Sequence, residues 1–220
     1  MSLGNEFEKL IEIIEALRGE GGCPWDREQT PETVKRYLVE EAYEAVSEVE
    51  KNNIPGIMEE LGDLIFMSLF MAYLFQQDGK FTIEDVLRKA ASKMIHRHPH
   101  VFGNQSAKSA EEVKKNWERL KKEEKNSKKL DIPRNLPALM RAHRLAGRAW
   151  KITCPSDEVT GLVSFITERM GRIKDLLDND HPEERGKNLG RILLAMVCLA
   201  RKLNINAEDA LHSEINAKLD

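Results

Sequence analysis

Helical periodicity interrupted by proline and glycine is the feature of this sequence that most constrains its fold. Apolar residues recur every three or four positions through most of the chain, and no stretch alternates apolar and polar residues as a half-buried strand does. The breaks fall at turn-forming sequences such as 53–56 and 78–79. Thr30, Thr82 and Ser109 each precede a periodic segment, in positions typical of helix N-caps. The pattern predicts an all-α fold built from helix hairpins.

The first half of the chain is predicted to contain five helices. They span about 5–18, 30–52, 56–77, 82–98 and 109–125. Residues 23–26 are predicted to form a loop between the first two helices, and residues 126–135 a linker to the second half.

The charge balance and the apolar runs exclude two classes of protein. The chain carries 34 Lys and Arg against 37 Asp and Glu, a net charge of -3. This near-neutrality argues against a nucleic-acid partner, because such proteins usually have a large basic excess. The longest apolar run, 64–75, is well short of the ~20 residues that span a bilayer, so it predicts a core helix and no membrane span.

The cysteines and the N-terminal sequence favour a cytoplasmic protein. Cys23, Cys154 and Cys198 are scattered and form no CxxC pair, so the sequence indicates neither a zinc knuckle nor a disulfide framework. This is consistent with a reducing cytosol. Residues 1–18 lack the basic and apolar regions of a signal peptide, and we expect a cytoplasmic location.

The second half of the sequence echoes the first. Residues 61–65, LGDLI, have a counterpart in residues 189–193, LGRIL. Downstream, residues 83–87 resemble residues 207–211. In each half, an apolar helix separates the two matching segments. We interpret this as a diverged tandem duplication, with chance similarity as the alternative, because such short patterns are common in helices.

Acidic residues occur on the apolar faces of two successive predicted helices. Glu41 and Glu44 lie three positions apart in segment 30–52, and Glu60 and Asp63 lie three apart in the next helix. Residues three or four apart share one face of a helix. On a helical wheel, Glu41 and Glu60 both fall within the apolar stripe. A hairpin of these helices is therefore predicted to bring the four carboxylates together in its interior.

Four ionised carboxylates in one interior require a counter-charge. Burial of an unpaired carboxylate is costly, and mutual repulsion raises the pKa values of such groups. A divalent cation removes the problem, and because the ligands are all oxygens, with no His in either helix, Mg²⁺ or Mn²⁺ is the predicted ion. Two alternatives stay open. The first is that the acidic pairs lie on solvated helix faces, where such pairs are common. The second is a di-iron bundle, which also uses carboxylates, although none of these glutamates belongs to the Glu-x-x-His motif of such bundles.

Three separated motifs resemble those of the MazG family of all-α nucleoside triphosphate pyrophosphohydrolases. The first is EExxE in residues 40–44 followed by ExxD in residues 60–63. The others are GCPWD in residues 22–26 and RHPHVF in residues 97–102. The resemblance covers about 7–119 and implies a MazG-like helical bundle.

The resemblance implies an activity and a set of site residues. It implies hydrolysis of canonical or altered (d)NTPs between the α and β phosphates, which yields a nucleoside monophosphate and pyrophosphate and clears aberrant nucleotides. It further implies that Glu41, Glu44, Glu60 and Asp63 bind Mg²⁺, with Mn²⁺ as a substitute. Glu40 is the implied catalytic residue, which orients or deprotonates the attacking water.

Three further residues are implied to contact the substrate. Lys93 and Arg97, one helical turn apart, would meet the phosphates, and Trp25 would stack on the base or wall its pocket. Each has a structural alternative. The two cations also suit the C-terminal end of a helix, and Trp25 can anchor its loop on the bundle.

The second half resembles a MazG copy that has lost its metal ligands. Glu168, Arg169 and Arg172 align with EExxE, and Asn188 and Arg191 align with ExxD. Arginines therefore replace acids, and no divalent cation is expected there.

The two halves are accordingly predicted to be two domains with one active site. We expect a catalytic domain at 1–130 and a diverged repeat at 131–220. A homodimer is expected, because helix hairpins of this kind bury their apolar faces against a partner. The alternative function is a catalytically weak, nucleotide-binding regulatory or scaffold protein, which the altered second copy would suit.

Overall fold

The computed structural model describes residues 2–125, 132–175 and 182–219. Throughout these ranges the chain forms helices and turns and no strand, which confirms the all-α prediction. It divides into two compact units, Met1–Lys121 and Lys122–Asp220. The predicted boundary between the domains 1–130 and 131–220 falls within 126–131, which lies outside the described residues.

Helix N-caps fix where the main helices of the first half begin. The helices are α1 (Leu3–Arg18), α2 (Pro24–Glu28), α3 (Pro31–Glu50), α4 (Ile54–Gln77), α5 (Ile83–Arg97), α6 (Pro99–Phe102) and α7 (Ala110–Lys125). The Thr30 hydroxyl accepts a hydrogen bond from the backbone N–H of Thr33, and Thr82 does the same for Asp85. The backbone N–H groups of Thr30 and Thr82 in turn donate to the side chains of Thr33 and Asp85, so α3 and α5 both begin with a capping box.

The hairpin of α3 and α4 forms the body of the first unit. Helix α1 packs on α4, α2 packs on α1, and α5 packs on α4. Ile14 of α1, Val34 of α3 and Phe70 of α4 meet in the core and are at most 2% exposed. Val34 lies early in α3 and Phe70 lies late in α4, so the core occupies the end of the hairpin away from its turn.

The predicted loop at 23–26 is a short helix in the structure. Helix α2 begins at Pro24, which suits the first position of a helix because proline lacks an N–H to donate. The guanidinium of Arg18 donates hydrogen bonds to the backbone carbonyls of Asp26 and Gln29, and it lies 5.6 Å from the ring centroid of Phe70. These contacts from the end of α1 stabilise a short helix whose local signal in the sequence is Pro24 alone.

The second unit is built around another helix hairpin. Its helices are α8 (Ala138–Arg148), α9 (Trp150–Thr153), α10 (Val159–Asp175), α11 (Pro182–Lys202) and α12 (Ala207–Leu219). Helices α10 and α11 pair with each other, α8 packs on α11 and α12, and α9 packs on α8. The order of a long hairpin followed by a single helix also occurs in the first unit, and the tandem duplication stays a prediction.

A disulfide bond joins Cys154 and Cys198 in the core of the second unit. Both cysteines pack with the fully buried Ala146 and Leu162. The sequence indicated no disulfide framework, and the bond contradicts that reading. It also removes the support that this reading gave to a reducing compartment. The two cysteines are 44 residues apart in sequence, so no short spacing motif exists. Cys154 follows α9, which packs on α8, and α8 packs on α11, which carries Cys198. Cys23 is a free thiol.

Among the described residues, no helix combines the length and apolar character needed to cross a bilayer.

Candidate metal centre

Three carboxylates converge on the hairpin of α3 and α4. One carboxylate oxygen from each of Glu41, Glu60 and Asp63 lies within 4.8 Å of the other two. Glu41 comes from α3, and the other two residues lie three positions apart on α4. Like charges this close repel unless they share protons or a cation. We call Glu41, Glu60 and Asp63 the carboxylate triad.

The triad lies at a solvent-open part of the hairpin. Glu41 and Glu60 are half-buried, whereas Glu44 and Asp63 are exposed. The prediction that the four carboxylates occupy an interior was therefore wrong for two of them. Helix α1 packs at the end of the hairpin that holds the buried core, and the triad lies nearer the turn between α3 and α4. Glu41 thus lies on the apolar stripe of α3, but in a part of the hairpin that α1 does not cover.

Burial and mutual repulsion raise the pKa of two of these carboxyls. For Glu41 the main cause is burial, followed by the charges on Asp63, Glu44 and Glu60. For Glu60 burial is again the main cause, followed by the charges on Glu44 and Asp63. Glu44 therefore lies within electrostatic reach of the triad, although it is not a member. For both Glu41 and Glu60 the raised pKa means that the surroundings destabilise the ionised carboxylate.

The donor set fits a hard divalent cation. All the groups are carboxylates, and the described part of α3 and α4 contains neither His nor Cys. Oxygen-only sites favour Mg²⁺, Mn²⁺ or Ca²⁺ over softer metals. A cation bound between the two helices would stabilise the ionised forms of Glu41 and Glu60.

Glu40 is an exposed residue on α3, next to the triad in sequence. Its negative charge is among the causes that raise the pKa of Glu41. The residue is therefore close enough to the triad to interact with it through space, and its exposed carboxylate is accessible to water.

Trp25 is anchored on α3 and still presents part of its ring to solvent. Its indole is 54% exposed and lies 5.9 Å from the ring centroid of Tyr37, at a tilted angle. Between Trp25 and the core residues Val34 and Phe70 is a cavity of about 10 Å³, roughly the space of one water molecule. A nucleobase cannot enter this cavity, so any stacking would use the exposed face of the indole.

Lys93 and Arg97 occupy different environments although they share a helix. Lys93 is exposed on α5. Arg97 is only 9% exposed, and its guanidinium carbon lies 5.2 Å from the ring centroid of Trp117 in α7. The ring of His98 also contacts Trp117, edge-on, at 4.9 Å. Arg97 therefore contributes to the packing of α5 on α7 in addition to any role toward a ligand.

Arg18 holds α2 in place, which the sequence did not reveal. It holds α2, and with it Trp25, through the two carbonyl contacts described above, and its Nε donates to Oε1 of Gln77 at 2.7 Å. A basic residue in the last turn of a helix is also what the helix dipole favours. The sequence therefore gives no signal that separates this role from an ordinary helix end.

The second hairpin brings together the residues that are predicted to align with the acidic motif. Nη1 of Arg169 donates to Oδ1 of Asn188 at 2.9 Å. Arg172 forms an ion pair with Glu168 one turn before it. Arg169 and Asn188 have the same separation in sequence as Glu41 and Glu60. Where α3 and α4 hold carboxylates, α10 and α11 hold a guanidinium and an amide.

Comparisons with known proteins point to one family. A family model described as "MazG nucleotide pyrophosphohydrolase domain" matches residues 29–102, which contain the carboxylate triad. The chain is 38% identical over 209 residues to a protein of Thermotoga maritima named nucleoside triphosphate pyrophosphohydrolase/pyrophosphatase MazG, covering 93% of this chain and 79% of that protein. It is 36% identical over 218 residues to the nucleoside triphosphate pyrophosphohydrolase of Escherichia coli K12, covering 94% and 82%.

Proposed function

The chain belongs to the MazG family of nucleoside triphosphate pyrophosphohydrolases, and we propose that it hydrolyses (d)NTPs at the α–β phosphate bond in a Mg²⁺-dependent reaction. The products would be a nucleoside monophosphate and pyrophosphate. The observation that carries this proposal is the carboxylate triad, because three oxygen ligands converge from two helices at a place where water and a substrate have access.

Glu41, Glu60 and Asp63 would hold the metal, with Glu44 as the fourth ligand. The support for Glu44 is its charge, which acts on both Glu41 and Glu60. Bound Mg²⁺ would supply positive charge that stabilises the phosphoryl oxygens as the α–β bond breaks, and Mn²⁺ would substitute for it.

The remaining site residues would handle the water and the substrate. Glu40 is exposed beside the triad and would orient the attacking water and accept its proton. Lys93 would bind the phosphates directly, and Arg97 would do so from a guanidinium fixed against Trp117. The exposed face of Trp25 would contact the base.

We propose a homodimer, formed through the hairpin of α3 and α4. Large apolar side chains on both helices are exposed in the single chain; among them are Val39, Val46, Met58, Leu61 and Ile65. Covering them with a second copy would bury apolar surface in the way that stabilises most symmetric dimers. Sedimentation equilibrium should give twice the chain mass of 25.2 kDa, and a monomer at all concentrations would contradict this part of the proposal.

The proposed role is clearance of aberrant nucleotides in the cytoplasm. A panel of canonical and altered NTPs and dNTPs, compared by kcat/KM, tests the first half of this statement. Immunoblotting of fractionated cells tests the second.

Product analysis tests the reaction itself. Incubation with an NTP and Mg²⁺ should release monophosphate and pyrophosphate, and EDTA should stop the reaction. Release of diphosphate and orthophosphate would contradict cleavage at the α–β bond. Binding of NTP without turnover, in the presence of Mg²⁺ and Mn²⁺, would instead indicate a regulatory or scaffold protein.

Glu41→Gln is the sharpest variant for the metal assignment. It keeps the size of the side chain and removes its charge, so metal-dependent turnover should fall by about 10² or more while the protein stays folded. Glu12→Gln is the matched control, because Glu12 is an exposed glutamate on α1. Full activity of Glu41→Gln would show that the ligand assignment is wrong.

A further inference from the structure

The second unit contains a basic pocket between α10 and α11. Its volume is about 390 Å³, and four cationic side chains line it against two anionic ones. The cations are Arg169 and Arg172 of α10 and Lys187 and Arg191 of α11; the anions are Asp175 and Glu184. The pocket is open to solvent and large enough for a small ligand, and its excess of positive charge favours an anion.

The guanidinium of Arg169 is fixed before any ligand arrives. Its Nη1 donates to Oδ1 of Asn188, and Nδ2 of Asn188 donates in turn to the backbone carbonyl of Glu184 at 2.9 Å. Asn188 is only 8% exposed, and the guanidinium carbon of Arg169 lies 5.1 Å from the ring centroid of Phe165. A guanidinium held in this way loses little conformational entropy when it binds a ligand.

Arg169 also has an unused donor. Its Nε is buried and has no hydrogen-bond partner in the structure. A buried donor without a partner is unfavourable, and because this atom has almost no accessible surface, a ligand oxygen could reach it only if the side chain shifts.

The other cations of the pocket are available to such a ligand. Arg172 and Lys187 form ion pairs with Glu168 and Glu183, but these are exposed pairs one turn apart on a helix, which contribute little and exchange readily. Arg191 has no ion-pair partner among the described residues.

The position of the pocket suggests the class of anion. Arg169 and Asn188 have the same separation in sequence as Glu41 and Glu60, so under the predicted duplication the pocket corresponds on its hairpin to the carboxylate triad on the other. Carboxylates bind phosphates only through a cation, whereas guanidinium groups bind them directly and often through two parallel hydrogen bonds.

We propose that this pocket binds a polyphosphate anion directly, without a divalent cation. The ligand is the triphosphate of an NTP or the free pyrophosphate, and this choice rests on the proposed function, which makes one the substrate and the other the product. The second unit would thus bind a nucleotide or its product at a site separate from the metal centre.

Calorimetric titration of the full-length chain in EDTA tests the proposal. Pyrophosphate and a non-hydrolysable NTP analogue are the two probes, and the chain carries Glu41→Gln so that no turnover occurs. Saturable binding of at least one probe, at one site per chain, is expected. Binding of pyrophosphate alone would identify a product site, and binding of both with similar affinity would identify the phosphate chain as the recognised group.

The variant Arg172→Gln/Arg191→Gln should weaken that binding at least tenfold. Both side chains are exposed, so the fold should be retained, and circular dichroism checks this. The matched control is Arg88→Gln/Lys218→Gln, which removes two charges from exposed ion pairs elsewhere and should bind as the parent does.

Three results would overturn the proposal. They are no binding in EDTA, equal affinity of the two double variants, and binding of sulfate as tight as that of pyrophosphate. Because the titration excludes both metal and turnover, its failure is distinct from a failure of the proposed function, which the product analysis measures on its own.

Discussion

Arg169 and Asn188 are hydrogen-bonded across α10 and α11 at 2.9 Å, with the same separation along the chain as Glu41 and Glu60 across α3 and α4. One hairpin therefore pairs two carboxyls that repel each other when ionised, and the other pairs a cation with a neutral amide. The same helix geometry supports both pairs because residues at matching positions of two antiparallel helices face each other. The two pairs therefore differ in the charge that they present to a ligand.

Without a divalent cation, the contribution of Glu41 and Glu60 to the thermal stability should fall as the pH rises above the ordinary glutamate pKa of 4.5. Burial raises the pKa of Glu41 and Glu60 in the folded state, so the folded state holds their protons more tightly than the unfolded state. The stabilisation is complete below the unfolded pKa and is lost as the pH passes the folded pKa. Melting curves in EDTA from about pH 4 to 8 measure this.

The double variant Glu41→Gln/Glu60→Gln isolates that effect. Other carboxyls have lowered pKa values, such as Asp85 in its capping box, and they change stability in the opposite direction. The difference in melting temperature between the variant and the parent should grow with pH. A difference that does not change with pH would contradict the electrostatic account of the triad.

Mg²⁺ should raise the melting temperature by binding only the folded triad. Ligand at about 100 times its dissociation constant stabilises a protein by about 2.7 kcal/mol. A thermal-shift titration with MgCl₂ at constant ionic strength measures this, and Glu60→Gln should abolish most of the shift. An equal shift in Glu60→Gln would show that the ion binds elsewhere.

Lys93 and Arg97 should differ in what their loss affects. Lys93→Gln should lower kcat/KM by about tenfold or more through a lost charge-assisted contact to phosphate, with little change in melting temperature because Lys93 is exposed. Arg97→Gln should lower both kcat/KM and the melting temperature, since its guanidinium also packs on Trp117. Parallel kinetics and melting curves separate the two effects. Unchanged kcat/KM in Lys93→Gln would remove it from the phosphate site.

Arg18→Ala should destabilise the first unit by about 1–3 kcal/mol, because the carbonyls of Asp26 and Gln29 lose their donor. The KM for NTP should rise as well if Trp25 contacts the base, since α2 carries both. Arg18→Lys is the control that keeps the charge but not the forked geometry. Chemical denaturation and kinetics give the two readouts, and wild-type stability of Arg18→Ala would contradict the clamping role.

Loss of the bond between Cys154 and Cys198 should lower the stability of the second unit by about 2–4 kcal/mol, the typical contribution of a disulfide bond. Dithiothreitol and the variant Cys154→Ala should give similar decreases in melting temperature. Cys23→Ala is the control, because Cys23 is a free thiol. Equal melting temperatures with and without the reductant would show that the disulfide does not stabilise the fold.

Local signals in the sequence predict most of the helices. The capping residues Thr30 and Thr82 and the turns at 53–56 and 78–79 set the ends of α3, α4 and α5 to within a few residues. These features act within one turn of chain, which is why sequence alone reveals them. The convergence of Glu41 with Glu60 and Asp63 was likewise predictable, since helix periodicity and a short connection determine which residues face each other.

Features that depend on a third element could not be predicted in this way. The exposure of Glu44 and Asp63 depends on how far α1 covers the hairpin, and periodicity does not specify that length. The helix α2 depends on Arg18, and the disulfide depends on the docking of α8 on α11. In each case the deciding contact joins parts of the chain that share no local pattern.

The bond between Cys154 and Cys198 has a consequence for the covalent topology of the chain. It closes a ring that contains all of α10 and most of α11, including the helix pair around the basic pocket. A single cut by a protease inside this ring leaves both fragments covalently attached. Such a nicked molecule would migrate as one species on a denaturing gel and would separate into two pieces only after reduction.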